Sequence, residues 1–167
     1  MKKIYFLIFA ALIAVTTVNA QNGWVTHKGD NRISIKFPSE PMELTPGSFM
    51  AVDKDSIAYI FTIVDLAQVA NIDSTALAPV KATPEFAAQL KTGMEQGLPN
   101  VDLADFTIGN WKGFTSYRSS GLDSKKKKYD LFMFIIGSKL YNVSTVSADG
   151  AGTKGRDDFF NSIQLSN

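Results

Sequence analysis

The chain contains no cysteine and only one histidine, His27. The first absence removes thiolate nucleophiles, zinc–thiolate sites, redox dithiols and disulfide staples together. It also excludes an acyl anchor carried on a cysteine. The second leaves one imidazole for any Ser-His-Asp mechanism, and no nucleophile-elbow sequence accompanies it. A single histidine without cysteine is also a poor ligand set for a transition metal. Charge of one sign is lacking too, with 17 Lys+Arg against 16 Asp+Glu. That balance excludes a general binder of nucleic acid or of an anionic membrane surface.

Long hydrophobic runs are absent as well. The longest, Ile4 to Val15, has 12 residues, well short of the ~20 that span a bilayer. It follows Met1-Lys2-Lys3 and precedes Val18-Asn19-Ala20, which is the order of a secretory signal: basic start, apolar core, small-x-small cleavage site. Cleavage is expected after Ala20, giving a chain that starts at Gln21, is exported to the periplasm or outside the cell, and keeps no transmembrane anchor. Residues 21–167 suit one domain with a sizeable core. Without Lys2 and Lys3 that domain holds 15 basic residues against 16 acidic ones.

Alternating and doubly apolar segments predict strands. Trp24 to His27 and Ile33, Ile35 and Phe37 flank Lys28-Gly29-Asp30-Asn31 and read as a hairpin that Pro38 and Pro41 close. A further extended stretch over Met42 to Val52 is interrupted at Pro46-Gly47. Ile57 to Val64 and Tyr129 to Ile136 are apolar at nearly every position, the pattern of central strands covered on both faces. Gly137-Ser138 turns the second of these into Leu140 to Val146. Val101 to Ile108 and Trp111 to Tyr117 supply two more strands, joined near Gly109-Asn110.

Thr83-Pro84-Glu85 opens a helix with a cap, a proline and an acid in the first turn. Phe86, Leu90 and Met94 form its apolar stripe, and Gly97 and Pro99 stop it. A short helix is expected from Gly155 to Ser162, while Ala67 to Ala82 reads as a loop with a turn of helix. The sum is an α+β fold: an antiparallel sheet of about six to eight strands with layers packed on its faces.

The motifs are weak. Gly150-Ala151-Gly152-Thr153-Lys154-Gly155 spells G-x-G-x-x-G, but a dinucleotide site needs a second strand and an acid about 20 residues on. Too little chain follows, and Asp157 and Asp158 repel phosphate, so a glycine turn feeding a helix is expected. Asp53-x-Asp55 opens like a calcium loop without the later ligands. Nothing brings Asp102 and Asp105 together as an acid–base pair. Asn142-Val143-Ser144 matches a glycosylation acceptor inside a strand, where the asparagine lacks loop exposure. Trp24 and Trp111 read as core aromatics, and His27 as a surface or half-buried strand residue. Lys125, Lys126, Lys127 and Lys128 form the one charge run, at the tip of a hairpin into the Tyr129 strand. They are either a solvated tip or a surface that docks an acidic partner.

The order of features resembles the PsbP-like group of small exported proteins, named for an extrinsic subunit of photosystem II. The likeness rests on Trp24 in a first strand, Phe37-Pro38-x-x-Pro41, the Ile57–Val64 strand with its tyrosine, the helix, and the strand pair around Gly109 to Gly113. It continues through Gly137-Ser138-Lys139-Leu140-Tyr141 and the closing Phe159-Phe160-Asn161-Ser162-Ile163-x-Leu165. The resemblance implies an α/β/α sandwich and a non-enzymatic domain that binds other proteins or stabilises an assembly. It carries over no catalytic, metal or cofactor residue, and photosynthesis does not transfer with the fold. The function expected is that of an exported accessory or interaction domain whose partner is another exported or envelope protein. The lysine tip and an uncovered sheet edge are its expected contact surfaces. The alternative is a carrier with a small-ligand pocket between sheet and helix.

Overall fold

The structure is a computed structural model that describes residues 23–98, 100–148 and 150–166. The expected signal and its cleavage site lie outside those residues. An eight-stranded antiparallel sheet is built from β3 (Met42–Thr45), β4 (Ser48–Val52), β5 (Ala58–Asp65), β6 (Val101–Leu103), β7 (Thr107–Trp111), β8 (Phe114–Asp123), β9 (Lys128–Ile136) and β10 (Lys139–Ser147). Its spatial order is β3-β4-β5-β10-β9-β8-β6, and β7 pairs with β8. A second sheet of three strands joins β1 (Val25–Lys28), β2 (Ile33–Phe37) and β11 (Gln164–Leu165) in the order β1-β2-β11. The helices are α1 (Leu66–Ala70), α2 (Ser74–Leu77), α3 (Pro84–Gly97) and α4 (Lys154–Asn161).

The α+β antiparallel architecture agrees with the sequence pattern, and β5 and β9 occupy the central positions their apolar runs require. Three details differ. The turn between β7 and β8 falls at Lys112-Gly113, not Gly109-Asn110. Both turn residues take positive φ, 51° and 89°, the geometry that matches strand twist in a two-residue hairpin. The Asn110 side chain then accepts from the Gly113 N–H at 2.9 Å. The stretch after β5 holds two short helices, each started by an aspartate: Asp65 accepts from the Ala67 N–H, and Asp73 from the Thr75 and Ala76 N–H groups. Finally, β11 adds a third strand to the first hairpin, so one face of the large sheet is covered by a small sheet together with α4.

Alternation on the central strands sends side chains to two separate cores. Phe132, Phe134 and Ile136 of β9, Tyr59 and Phe61 of β5, and Tyr141 and Val143 of β10 meet Ile33, Ile35 and Phe37 of β2 and Phe159 of α4. Leu131, Met133 and Ile135 of β9 and Leu140 of β10 meet Leu66, Leu77, Ala87 and Met94 from the helices on the opposite face. Burying one such large side chain contributes about 1.5–3 kcal/mol. Trp24 lies edge-on to Tyr59 at 5.4 Å, and Trp111 packs on Phe134 at 4.4 Å, so both tryptophans pack half-buried against the margin of the first core.

His27 ends in the first core's rim, its ring 4.2 Å from that of Phe49 and 5.9 Å from that of Phe37. Its Nε2 is buried with no partner among the described residues. Burial holds the imidazole below its ordinary value of 6.5, against the upward pull of Glu40 and Glu43. The folded state therefore binds the proton less well than the unfolded chain. The contribution to stability is full above pH 6.5 and is lost as pH falls from there through the lower folded value. Urea midpoints at pH 7.5 and 5.0 should differ more for the wild type than for His27→Phe. Equal differences would show that His27 takes up its proton as readily in the folded state as in the unfolded chain.

Candidate functional site

Both faces of the large sheet are closed at its centre; on the helical side Met133 and Ile135 are 0% exposed. Under the small sheet, Phe61, Phe134, Tyr141 and Val143 are all 0% exposed. On the helical face the strands carry hydroxyls and an amide where apolar residues are the rule: Ser48, Thr62, Asn142 and Ser144. Register explains their grouping. Ser48 lies opposite Thr62, and Thr62 opposite Asn142, in a single row across β4, β5 and β10. Ser144 follows two residues along β10, opposite Ile60.

A groove of about 200 Å³ stands over this polar row. Met94, Gly97 and Leu98 at the end of α3 form one wall, and Val101 of β6 extends it. Ile60, Leu131 and Tyr129 supply apolar sheet surface, while Thr62, Asn142 and Ser144 form the polar floor. The helix is placed there by its own ends: Thr83 Oγ1 accepts from the Phe86 N–H, Pro84 follows, and the helix stops at Gly97, leaving the sheet beyond it uncovered. A smaller, apolar hollow of about 110 Å³ lies on the other side of Met94, against α1.

The floor is incompletely satisfied. Thr62 Oγ1 and Ser48 Oγ share a hydrogen bond of 3.0 Å. Asn142 is only 6% exposed, and its Oδ1 is buried without a partner among the described residues. Leaving such an acceptor unpaired costs about 1–3 kcal/mol. Tyr129 is the one titratable residue lining the groove. Burial, with the charge of Asp123, pushes its phenol up, so it offers a hydroxyl and no proton exchange near neutral pH.

The structure separates the residues singled out in the sequence. The lysine run is the tip of the β8–β9 hairpin, where Asp123 Oδ1 accepts from the Lys125 and Lys127 N–H groups at 2.8 Å each. Lys125, Lys126 and Lys127 are exposed, whereas Lys128 pairs with Asp130 at 3.3 Å. Asp53 is a turn residue: Oδ1 accepts from the Asp55 and Ile57 N–H groups and Oδ2 from the Tyr59 hydroxyl at 2.7 Å. Asp102 is exposed and Asp105 pairs with Lys91 at 2.9 Å, so they form no carboxylate pair. Among the described residues no group of three His, Cys, Asp or Glu is placed to hold a metal ion. Asn142, the nominal glycosylation acceptor, sits in the floor of the groove, out of reach of a transferase.

The G-x-G-x-x-G stretch owes its last glycine to packing. A Cβ on Gly155 would collide with the Tyr59 hydroxyl, which Asp53 holds and whose ring is fixed by Trp24 and Phe159. Gly155→Ala should cost about 1–3 kcal/mol, read as a lowered denaturation midpoint. An unchanged midpoint would mean that α4 shifts freely on the sheet.

No family model matches the chain, and no curated protein matches it in sequence. Among solved structures it is similar to a cyanobacterial PsbP (CyanoP) from Synechocystis, with a TM-score of 0.53 and 12% identity over 93% of this chain and 98% of that one. It is also similar to a protein from Bacteroides thetaiotaomicron, with a TM-score of 0.41 and 14% identity over 81% of this chain. The match spans 45% of that longer protein. The chain has a PsbP-like fold.

Proposed function

We propose that this chain is an exported, non-catalytic accessory domain that acts by binding, and that the groove beside α3 is its binding surface. The observation that carries this is a row of buried polar side chains, Thr62, Asn142 and Ser144 at 6–8% exposure, beneath an open groove on the helical face of the sheet. A stability-driven core would fill that row with apolar residues. The groove's only titratable lining group is a phenol held protonated, which favours binding over acid–base chemistry. Export is supported by the basic, apolar and small-residue order of residues 1–20. Among the described residues no helix is long and apolar enough to cross a membrane.

A second reading has its own observation. Lys125, Lys126 and Lys127 stand exposed at a hairpin tip, a surface suited to an acidic exported or envelope protein. Photo-cross-linking residues at Leu98 on the groove, Lys126 on the tip and Lys36 on the opposite side separate the two. A saturable adduct from Leu98 alone is the expected result in the cells that make the protein. Adducts from Lys126 alone would move the binding surface to the hairpin, and adducts from none of the three would remove both readings.

A further inference from the structure

We infer that the floor of the groove is a specific site for a small uncharged molecule with an apolar body and a hydrogen-bond-donating head. This rests on the groove being a binding surface and names what it takes. Size comes first. A dry cavity of about 150 Å³ accepts benzene, so about 200 Å³ holds one ring or short chain with a polar substituent. That is well below the roughly 300–1,000 Å³ of drug-sized sites.

Charge comes next. Among the described residues no Asp, Glu, Lys, Arg or His lines the groove, so an ionised head entering it would be buried without a counter-ion from them. The end of α3 adds to this, because the free carbonyls of a helix C-terminus repel anions.

Polarity of the head follows from the floor. Asn142 Oδ1 is a buried acceptor without a partner, and it belongs to a side chain fixed in the middle of a strand paired on both sides. A donor delivered to it satisfies one of the two buried polar side-chain atoms, with His27 Nε2, that lack a partner among the described residues. The Ser144 hydroxyl on the same strand face can donate to, or accept from, the same head. Ile60, Met94, Leu98 and Val101 enclose the apolar remainder, and Met94 is the flexible, unbranched residue among them, suited to moulding round variable shapes.

The test uses three probes of one size on the protein purified from cells that export it: benzyl alcohol, toluene and benzoate. Backbone amide shifts of Thr62, Asn142 and Ser144 are followed by two-dimensional NMR. Benzyl alcohol should shift them saturably, toluene should bind about tenfold more weakly for want of the donor, and benzoate should show no saturable shift. Asn142→Leu should reverse the preference between benzyl alcohol and toluene. Ser144→Ala, a smaller change, should weaken benzyl alcohol while leaving toluene unaffected, so the test survives if Asn142→Leu fails to fold. Saturation by benzoate at equal or lower concentration, or saturation by no probe because water alone occupies the floor, overturns the inference. A protein cross-linked from Leu98, with no response to these probes, keeps the groove as a binding surface and removes this ligand class.

Discussion

Phe134→Ala is expected to lower stability by about 3–5 kcal/mol and the melting temperature by roughly 6–20 °C. Phe134 lies two residues from the end of β9, directly opposite Tyr141 on β10. The two rings stack at 5.1 Å with 7° between their planes, and Trp111 and Phe132 close the remaining sides at 4.4 and 5.7 Å. Truncation removes the largest group from a site that is 0% exposed. Collapse around the gap is resisted, because β9 is paired along both edges and Tyr141 is tied at its far end to Asp30. Circular-dichroism melts check the size. A loss below about 1.5 kcal/mol, the range of a tolerated hydrophobic swap, would mean that this face of the sheet is far looser than its packing shows. Phe160→Ala, at the half-buried margin of the same cluster, should cost clearly less.

Asp30→Ala should cost about 2–4 kcal/mol, below the full penalty for breaking a buried pair because the site is partly solvated. Its carboxylate ties a turn of the small sheet to the centre of the large one. Oδ1 accepts from the Arg32 N–H at 2.8 Å and the Ile33 N–H at 3.0 Å. Oδ2 accepts from Lys139 Nζ at 3.0 Å and the Tyr141 hydroxyl at 2.8 Å. Burial alone would raise its pKa. Hydrogen bonds from the Arg32 N–H, Lys139, Tyr141 and the Ile33 N–H together outweigh that and hold it below the ordinary 3.8. Its contribution to stability is therefore present above pH 3.8 and is lost as pH falls through the folded value. That window lies beneath the one assigned to His27, so the two acid effects separate on a pH titration of urea midpoints. Asp30→Asn should flatten the lower limb only. Retention of that limb in the variant would place it on other carboxylates.

The large-scale plan was legible because it is written in local patterns. The doubly apolar runs of β5 and β9 demanded central positions, Gly137-Ser138 marked a hairpin, and Thr83-Pro84-Glu85 marked the start of α3. What the residues hid depends on partners far along the chain. β11 is two residues long and exists only because β2 offers it an edge. The turn at Lys112-Gly113 lost to Gly109-Asn110 in the sequence because lysine is a poor indicator of positive φ. The helices α1 and α2, at five and four residues, are too short to show a period. Two of the three polar floor residues were in plain view, since Asn142 and Ser144 interrupt an apolar strand two residues apart and so share a face. Thr62 joins them only through a register spanning 80 residues of chain, and no local pattern carries that.

The same register sets an order of events. β5 lies between β4, which arrives just before it, and β10, which begins at Lys139; β2 receives its last neighbour at Gln164. A growing chain that has emerged only as far as α3 holds three of the eight strands of the large sheet and two of the three of the small one. β5 and β9 each lack their second partner until β10 has been made, and such non-local closure is slow. Closure of the two sheets is thereby postponed until β10 and β11 have emerged, and until then the nascent chain remains threadable.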